Sequence, residues 1–353
     1  MLRFKEGDIV REEDFINAAE RSVDPADDED KLVKLEETGR LHAIFTNFGF
    51  GDGHDGDVVI SSPTTLTEDK YYNNLTVNST LTTNGYKIYV KEKIDGSGTI
   101  RHSDPSTGHG QNAPSSRAGG GSGSSSGIVF IMARIFAGSF SIQSVGSNGG
   151  NGGVGDTGSS GPGGDGGAER GAGPLKGCAG KQGASSTNAS NNGNVGNSGE
   201  SVNPSLGSNG ANGGTGGTAG DFNIPIGGPS GGVSTAPLLG IAQFIKFFAT
   251  TLLCYKNDLT LAQILKVPGA GSGSSGAIDA SPAGRGGGGG GASGNGGHAI
   301  IIFALKLWTG TYNLSGGTPG TGGTGSGTGG GNGGNGGTGN EGVSYELDIA
   351  DLI

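Results

Sequence analysis

The residues best equipped for chemistry are few and widely spread. Asp52-Gly-His-Asp-Gly-Asp57 places three carboxylates and His54 within six positions, and oxygen-rich loops of this kind can hold Ca²⁺. The following Glu of a calcium-binding helix–loop–helix is missing, however, and Asp-Gly pairs are ordinary turn formers. Asp52, Asp55 and Asp57 are thus the metal candidates, turn formation is the competing reading, and no metal or cofactor is expected. Carbohydrate cleavage needs paired carboxylates, but residues 118–353 hold only 11 acids, of which Asp156, Asp165 and Glu169 are the closest group. The five His, at 42, 54, 102, 109 and 298, lie in no context that pairs a nucleophile with a base. Matches to Gly-x-Gly-x-x-Gly carry no weight without a strand–helix unit and a partner acid. Cys178 and Cys254 are too few for a disulfide framework or a zinc site. The chain is expected to be no enzyme.

Any such residue must be positioned by an unusual scaffold. Of 353 residues, 80 are Gly, hydrophobic residues make up 31% and charged residues 15%. Collagen is excluded, because the Gly spacing is not uniform and 13 Pro are too few. A net charge of −10 argues against nucleic acid and anionic membranes as partners. Composition shifts near Arg117: residues 1–117 carry 34 of the 54 charged residues and 11 Gly, whereas the remainder holds 69 Gly.

Glycine recurs with a period of three. It occupies positions 146, 149, 152, 155, 158, 161, 164 and 167 without a break, and shorter runs fall at 207–216, 288–297 and 327–342. A polyproline-II-type helix has three residues per turn, so Gly146, Gly149, Gly152, Gly155, Gly158, Gly161, Gly164 and Gly167 would line one bare edge. Such a helix has no internal hydrogen bonds, and its backbone groups must pair laterally. Each ordered Gly costs about 0.5–1 kcal/mol more than Ala, a cost that only a dense set of lateral bonds, each contributing about 0.5–1.5 kcal/mol, offsets. The tracts are expected to bundle.

Between residues 57 and 101 short strands are expected at 58–60, 64–66, 74–77, 80–82, 87–90 and 98–100, separated by turns such as Asn84-Gly85. Stacked rungs of a β-solenoid would bury one core from such minimal units; a small antiparallel sandwich is the alternative. Two distant segments read alike. Gly127-Ile-Val-Phe-Ile-Met-Ala133 leads to Phe136-Ala-Gly-Ser-Phe-Ser-Ile142, and His298-Ala-Ile-Ile-Ile-Phe-Ala304 leads to Trp308-Thr-Gly-Thr-Tyr-Asn-Leu314. Each begins as a nearly continuous apolar strand, the pattern of burial on both faces. Residues 11–21 read as a short helix and 32–45 as a β-hairpin. The most apolar window, 237–256, reads as a helix marginal for a bilayer, and packing or oligomer contact is its expected role. Phe222, Ile224 and Ile226 are the candidates for exposed surface contacts.

Tyr71-Tyr-Asn-Asn-Leu-Thr-Val77, Thr80-Leu-Thr-Thr-Asn-Gly-Tyr-Lys-Ile-Tyr-Val-Lys91 and Gly98-Thr-Ile100 resemble the entry strands of Gly-rich virion proteins of tailed phages. Leu32-Val-Lys-Leu-Glu-Glu-Thr-Gly-Arg-Leu41 is similar to the hairpin that often precedes them. The Gly tracts resemble the polyglycine-II sandwich at the tip of some long tail fibres. The resemblance implies a β-solenoid stem and a Gly-helix bundle, a homotrimer, and an attachment role.

The expected protein is mainly β. Residues 1–56 form an anchor, 57–117 a solenoid stem, 118–342 a Gly-rich body and 343–353 a terminal strand. It is expected to be a structural component of a phage tail or fibre, contacting other virion proteins and a host-surface glycan or outer-membrane protein. Residues 1–30 are charged and read as no signal peptide, so virion localisation after lysis is expected. The alternatives are a bacterial surface adhesin and an ice-binding polyglycine-II protein, the latter motivated by Thr215, Thr218, Thr321 and Thr324.

Overall fold

The computed structural model describes residues 50–155, 161–185, 284–327 and 330–349. The expected helices at 11–21 and 237–256, the hairpin at 32–45, Gly158 and the contact candidates Phe222, Ile224 and Ile226 lie outside the described residues. Among the described residues every regular element is a strand.

Strands alternate between two parallel sheets. The larger sheet contains β1 (Val58–Ile60), β3 (Lys70–Val77), β5 (Ile88–Gly96), β7 (Val129–Gly138), β10 (Ala299–Trp308) and β13 (Ser344–Asp348), side by side in that order. The smaller contains β2 (Thr64–Thr65), β4 (Thr80–Thr82), β6 (Thr99–Arg101), β8 (Ser141–Gln143) and β11 (Tyr312–Asn313), again in chain order. A long strand therefore turns a corner into a short one, and the next pair stacks on it in parallel. A third, two-stranded antiparallel sheet joins β9 (Gly284–Arg285) to β12 (Ser326–Gly327).

The corners explain some of the glycine. Gly96 ends β5 with φ of +116°, and a Cβ there would strike the carbonyl of Val77 in the strand pair beneath. No β-branched or bulky residue fits such a turn.

In-register columns build the core. Leu81, Ile100 and Ile142 stack across β4, β6 and β8, and Leu75, Ile94 and Phe136 stack across β3, β5 and β7; all six are fully buried. They face one another between the sheets with Phe140, Phe303 and Trp308. The two look-alike segments are direct neighbours: β7 and β10 pair from Val129↔Ala299 to Gly138↔Trp308. Both strands are buried on both faces in their first halves, which accounts for their unbroken apolar runs. Phe130, Met132, Ile300 and Ile302 belong to a second core on the far face of the sheet, together with Phe50, Tyr89 and Leu175.

From these strands the chain runs into Gly tracts that bond sideways. In the buried tract 119–126 successive N–H groups fan out to three different neighbours. Gly120, Gly123 and Ser126 donate to the carbonyls of Gly289, Ala292 and Asn295; Gly119, Ser122 and Ser125 donate to those of Ala184, Lys181 and Cys178; Gly121 and Ser124 donate to those of Gln111 and Gly108. Its own carbonyls accept in turn, from Ser147 to Ser124 and from Gly150 to Gly121. A second buried tract, 287–297, repeats the scheme with residues 144–153 on one side and 331–340 on another. Buried backbone groups must be paired, and here the pairing rotates with a period of three.

Candidate functional site

The Gly tracts are the candidate functional element, and close approach is what they need glycine for. No Gly from 146 to 155 has positive φ, so left-handed backbone is not the reason. A Cβ on Gly146, Gly149 or Gly152 would instead fall well inside contact of the carbonyl oxygens of Gly294, Gly291 and Gly288. On Gly155 it would meet the carbonyl of Arg285, on Gly161 the Ser115 hydroxyl, and on Gly164 and Gly167 the carbonyls of Gln111 and Gly108. Seven of the eight positions of the sequence repeat thus lie against another segment.

The residues between the glycines have a second use. Asn148 and Asn151 are exposed, and their Oδ1 atoms accept the backbone N–H groups of Thr318 and Thr321, both at 2.9 Å. Asn335 and Asn332 do the same for Gly322, at 3.0 Å, and Gly325, at 2.9 Å. One layer further round, Asn112 accepts from Asn151 N at 2.8 Å and His109 Nδ1 accepts from Asn148 N at 3.0 Å. Where an outer tract has no further tract to donate to, a side-chain amide or imidazole on its neighbour supplies the acceptor. Sequence reasoning missed this role, although Asn recurring at three-residue spacing (148 and 151, 332 and 335) is the signal that could have found it.

The outward result is an uncharged periodic face. Thr318, Thr321 and Thr324 are exposed at three-residue intervals on one tract, between Asn148, Asn151 and Val154 on one neighbour and Asn332 and Asn335 on another. Such a surface can donate and accept hydrogen bonds, but it holds no nucleophile–base pair.

Where strands meet tracts, a buried polar joint forms around His102. Its Nε2 donates to the Leu175 carbonyl at 3.2 Å, and Nδ1 faces Ser103 Oγ at 2.9 Å, Ser126 Oγ at 3.3 Å and the N–H of Gly127 at 3.3 Å. Burial first, then the Arg170 charge, pushes its pKa down to about 3, so the ring is neutral and unsuited to general-base work near pH 7. The Arg170 guanidinium donates to the carbonyls of Val145 and Asp104, tying its tract to the segments that follow β8 and β6. Ser144 Oγ donates to Gly127 O at 2.7 Å, so the serines here hold backbone in place.

The acidic loop does not assemble a metal site. Asp52 Oδ1 takes the N–H and ring Nδ1 of His54, bonds that hold its carboxyl below the usual range. Asp55 Oδ2 accepts from Tyr71 N at 2.7 Å, and Oδ1 faces Lys70 Nζ at 3.4 Å. Asp57 Oδ1 takes Asn73 Nδ2, Asn74 N and Asn74 Nδ2, and those bonds likewise lower its pKa. Asp52 closes its own loop on His54, whereas Asp55 and Asp57 brace different pieces of β3, and among the described residues no group of three or more His, Cys, Asp or Glu could hold an ion. Asp165 and Glu169 separate too: Asp165 accepts from Gln182 and Glu169 pairs with Lys176. His54 stacks on Tyr71, while His298 Nδ1 accepts the N–H of Val343.

No known protein-family model, curated protein or solved structure matches this chain.

Proposed function

We propose that this chain is a non-enzymatic structural component of a tailed-phage virion, in the tail or a fibre, with a role in attachment to the host surface. The two stacked parallel sheets are rungs of a β-solenoid stem, and the tracts are polyglycine-II helices bundled into a rigid body. The observation that carries this reading is the three-way rotation of hydrogen bonds around residues 119–126 and 287–297. That arrangement makes glycine a building material, stiff and hard for proteases to enter, which suits a particle exposed outside a cell. Few charges, carboxylates that among the described residues each serve separate partners, and a neutral buried His102 support a mechanical role over catalysis.

The protein works as a homo-oligomer, a trimer by resemblance to fibre proteins, joined to other virion proteins. An antibody against the purified chain tests the assignment. Labelling of tails or fibres on intact virions supports it, and label confined to cell fractions contradicts it.

One observation favours a second reading. The exposed Thr318, Thr321 and Thr324 row is the regular uncharged face that ice binding would use. Thermal hysteresis in a solution of the purified chain would select that reading, and its absence would leave the virion reading in place.

A further inference from the structure

An open surface cleft of about 610 Å³ with mixed polar and apolar lining lies beside residues 106–114 and 162–168, within the roughly 300–1,000 Å³ range of small-ligand sites. Three of its lining side chains accept hydrogen bonds from within the fold. Asp165 Oδ1 is held by Gln182 Nε2 at 3.0 Å, which leaves Oδ2 as an acceptor. Asn112 Oδ1 is occupied by the N–H of Asn151, which leaves its Nδ2 as a donor. His109 Nδ1 is occupied by the N–H of Asn148, which puts the ring proton on Nε2. Gln111 adds a further amide, its backbone fixed by donation to Asp165 O at 2.8 Å. Pro114 and Pro162 contribute apolar ring surface.

We propose that this cleft binds a neutral oligosaccharide. Adjacent sugar hydroxyls both donate and accept, and the lining residues offer them a carboxylate oxygen, amide groups and an imidazole N–H. Sugar rings also carry C–H faces that pack on proline. The carboxylate at the cleft, on a chain of net charge −10, opposes sulfated or otherwise anionic glycans. Because Asn112 and His109 are the same side chains that close the outer tract, the lattice holds these two in place, and they have little left to order on binding. This inference rests on the attachment role proposed above and names the chemistry that would serve it.

The test is calorimetric titration of the full chain with neutral trisaccharides built from glucose, mannose, galactose, N-acetylglucosamine or rhamnose, with a heparin trisaccharide as the anionic comparator. Saturable binding of at least one neutral sugar is expected, with none of the heparin fragment. Asp165→Asn and Gln111→Ala should each weaken it about tenfold, the scale of a lost charge-assisted or well-placed hydrogen bond. Asn335→Ala, on another face, should bind as the wild type does. Binding by no neutral sugar, preference for heparin, or unchanged affinity in both cleft variants overturns the inference. Loss of the cleft role with retained binding of the chain to whole bacteria would leave the attachment reading standing. Absence of the chain from virions would count against the virion reading alone.

Discussion

Asn151 and Thr321 stand 170 positions apart yet are bonded: Asn151 Oδ1 accepts the N–H of Thr321 at 2.9 Å, and the Thr321 carbonyl accepts the N–H of Gly152, the residue after Asn151, at 2.8 Å. Asn148 and Thr318 repeat the relationship one turn away. The bare edge lets two tracts approach, and the amide beside it satisfies the donor that the approach leaves on the rim.

Removing the rim acceptors should loosen the outer tract without unfolding the core. Asn148→Ala and Asn151→Ala are each expected to cost about 0.5–1.5 kcal/mol, toward the low end because water can replace an exposed acceptor. Urea unfolding of the two variants measures this. Asparagine-to-threonine changes at the same positions, whose shorter side chains reach less far, should recover little of the loss.

Glycine inside the lattice is a different matter. Gly149→Ala drives a methyl into the carbonyl of Gly291, with backbone on both sides and no flexible side chain to yield. Overpacking of this sort costs about 1–3 kcal/mol or more. Gly56→Ala is the comparison, because a Cβ there meets nothing within 4 Å and only its φ of +74° is unfavourable. The difference in thermal midpoint between the two variants should be several degrees, with Gly149→Ala the lower.

His102 predicts a pH dependence with a defined sign. Its folded pKa of about 3 lies below the unfolded 6.5. Above pH 6.5 both states are neutral, and as pH falls below 6.5 the unfolded state takes up the proton first. Stability should therefore fall at up to about 1.4 kcal/mol per pH unit between pH 6.5 and 3. Carboxylates such as Asp104 and Asp95, whose pKa values are lowered by hydrogen bonds from Ser106 and Lys93 respectively, add their own loss only at more acidic pH. Between pH 7.5 and 5 the wild type should lose roughly 2 kcal/mol, and His102→Gln should show a markedly flatter profile over the same interval.

Trp308 is the single tryptophan of the chain and reports on the last strand pair. Its Nε1 donates to Phe140 O at 2.9 Å, and its ring packs against Tyr312, 4.9 Å between centroids. Tyr312 OH in turn donates to Glu346 Oε1 at 2.7 Å, and Lys306 pairs with the same carboxylate. Glu346→Ala should cost about 1–2 kcal/mol by removing the acceptor for a half-buried hydroxyl. A red shift of Trp308 emission at partial denaturation, preceding the global transition, would show the terminal strand loosening first.

Much of the described β-structure could be read from the sequence because its signals are local. Val58–Ile60, Thr80–Thr82 and the turn at Asn84-Gly85 follow from recurring apolar residues and turn formers. The likeness of 127–142 to 298–314 corresponds to the pairing of β7 with β10. The parallel stacking order was less legible, since no residue in β5 announces that its neighbour lies more than thirty residues on. Asp52, Asp55 and Asp57 looked alike in sequence, but Asp52 holds His54 in its own loop while Asp55 serves Tyr71 and Asp57 serves Asn73 and Asn74 in the next strand, a division that only the register reveals. The rim function of Asn148, Asn151, Asn332 and Asn335 depends on which tract lies alongside, as does the cleft around Asp165. Nor does anything near His102 in the chain foretell its partner Leu175, 73 positions away.

Amide hydrogen exchange of the Gly tracts is the measurement that bears most directly on the lattice. If residues 119–126 and 287–297 are bonded on three sides, their amides should exchange only through large-scale opening, with protection comparable to that of β7 and β10. Exchange of these amides at the rate of an unstructured chain, while β7 and β10 remain protected, would contradict the bundled scaffold.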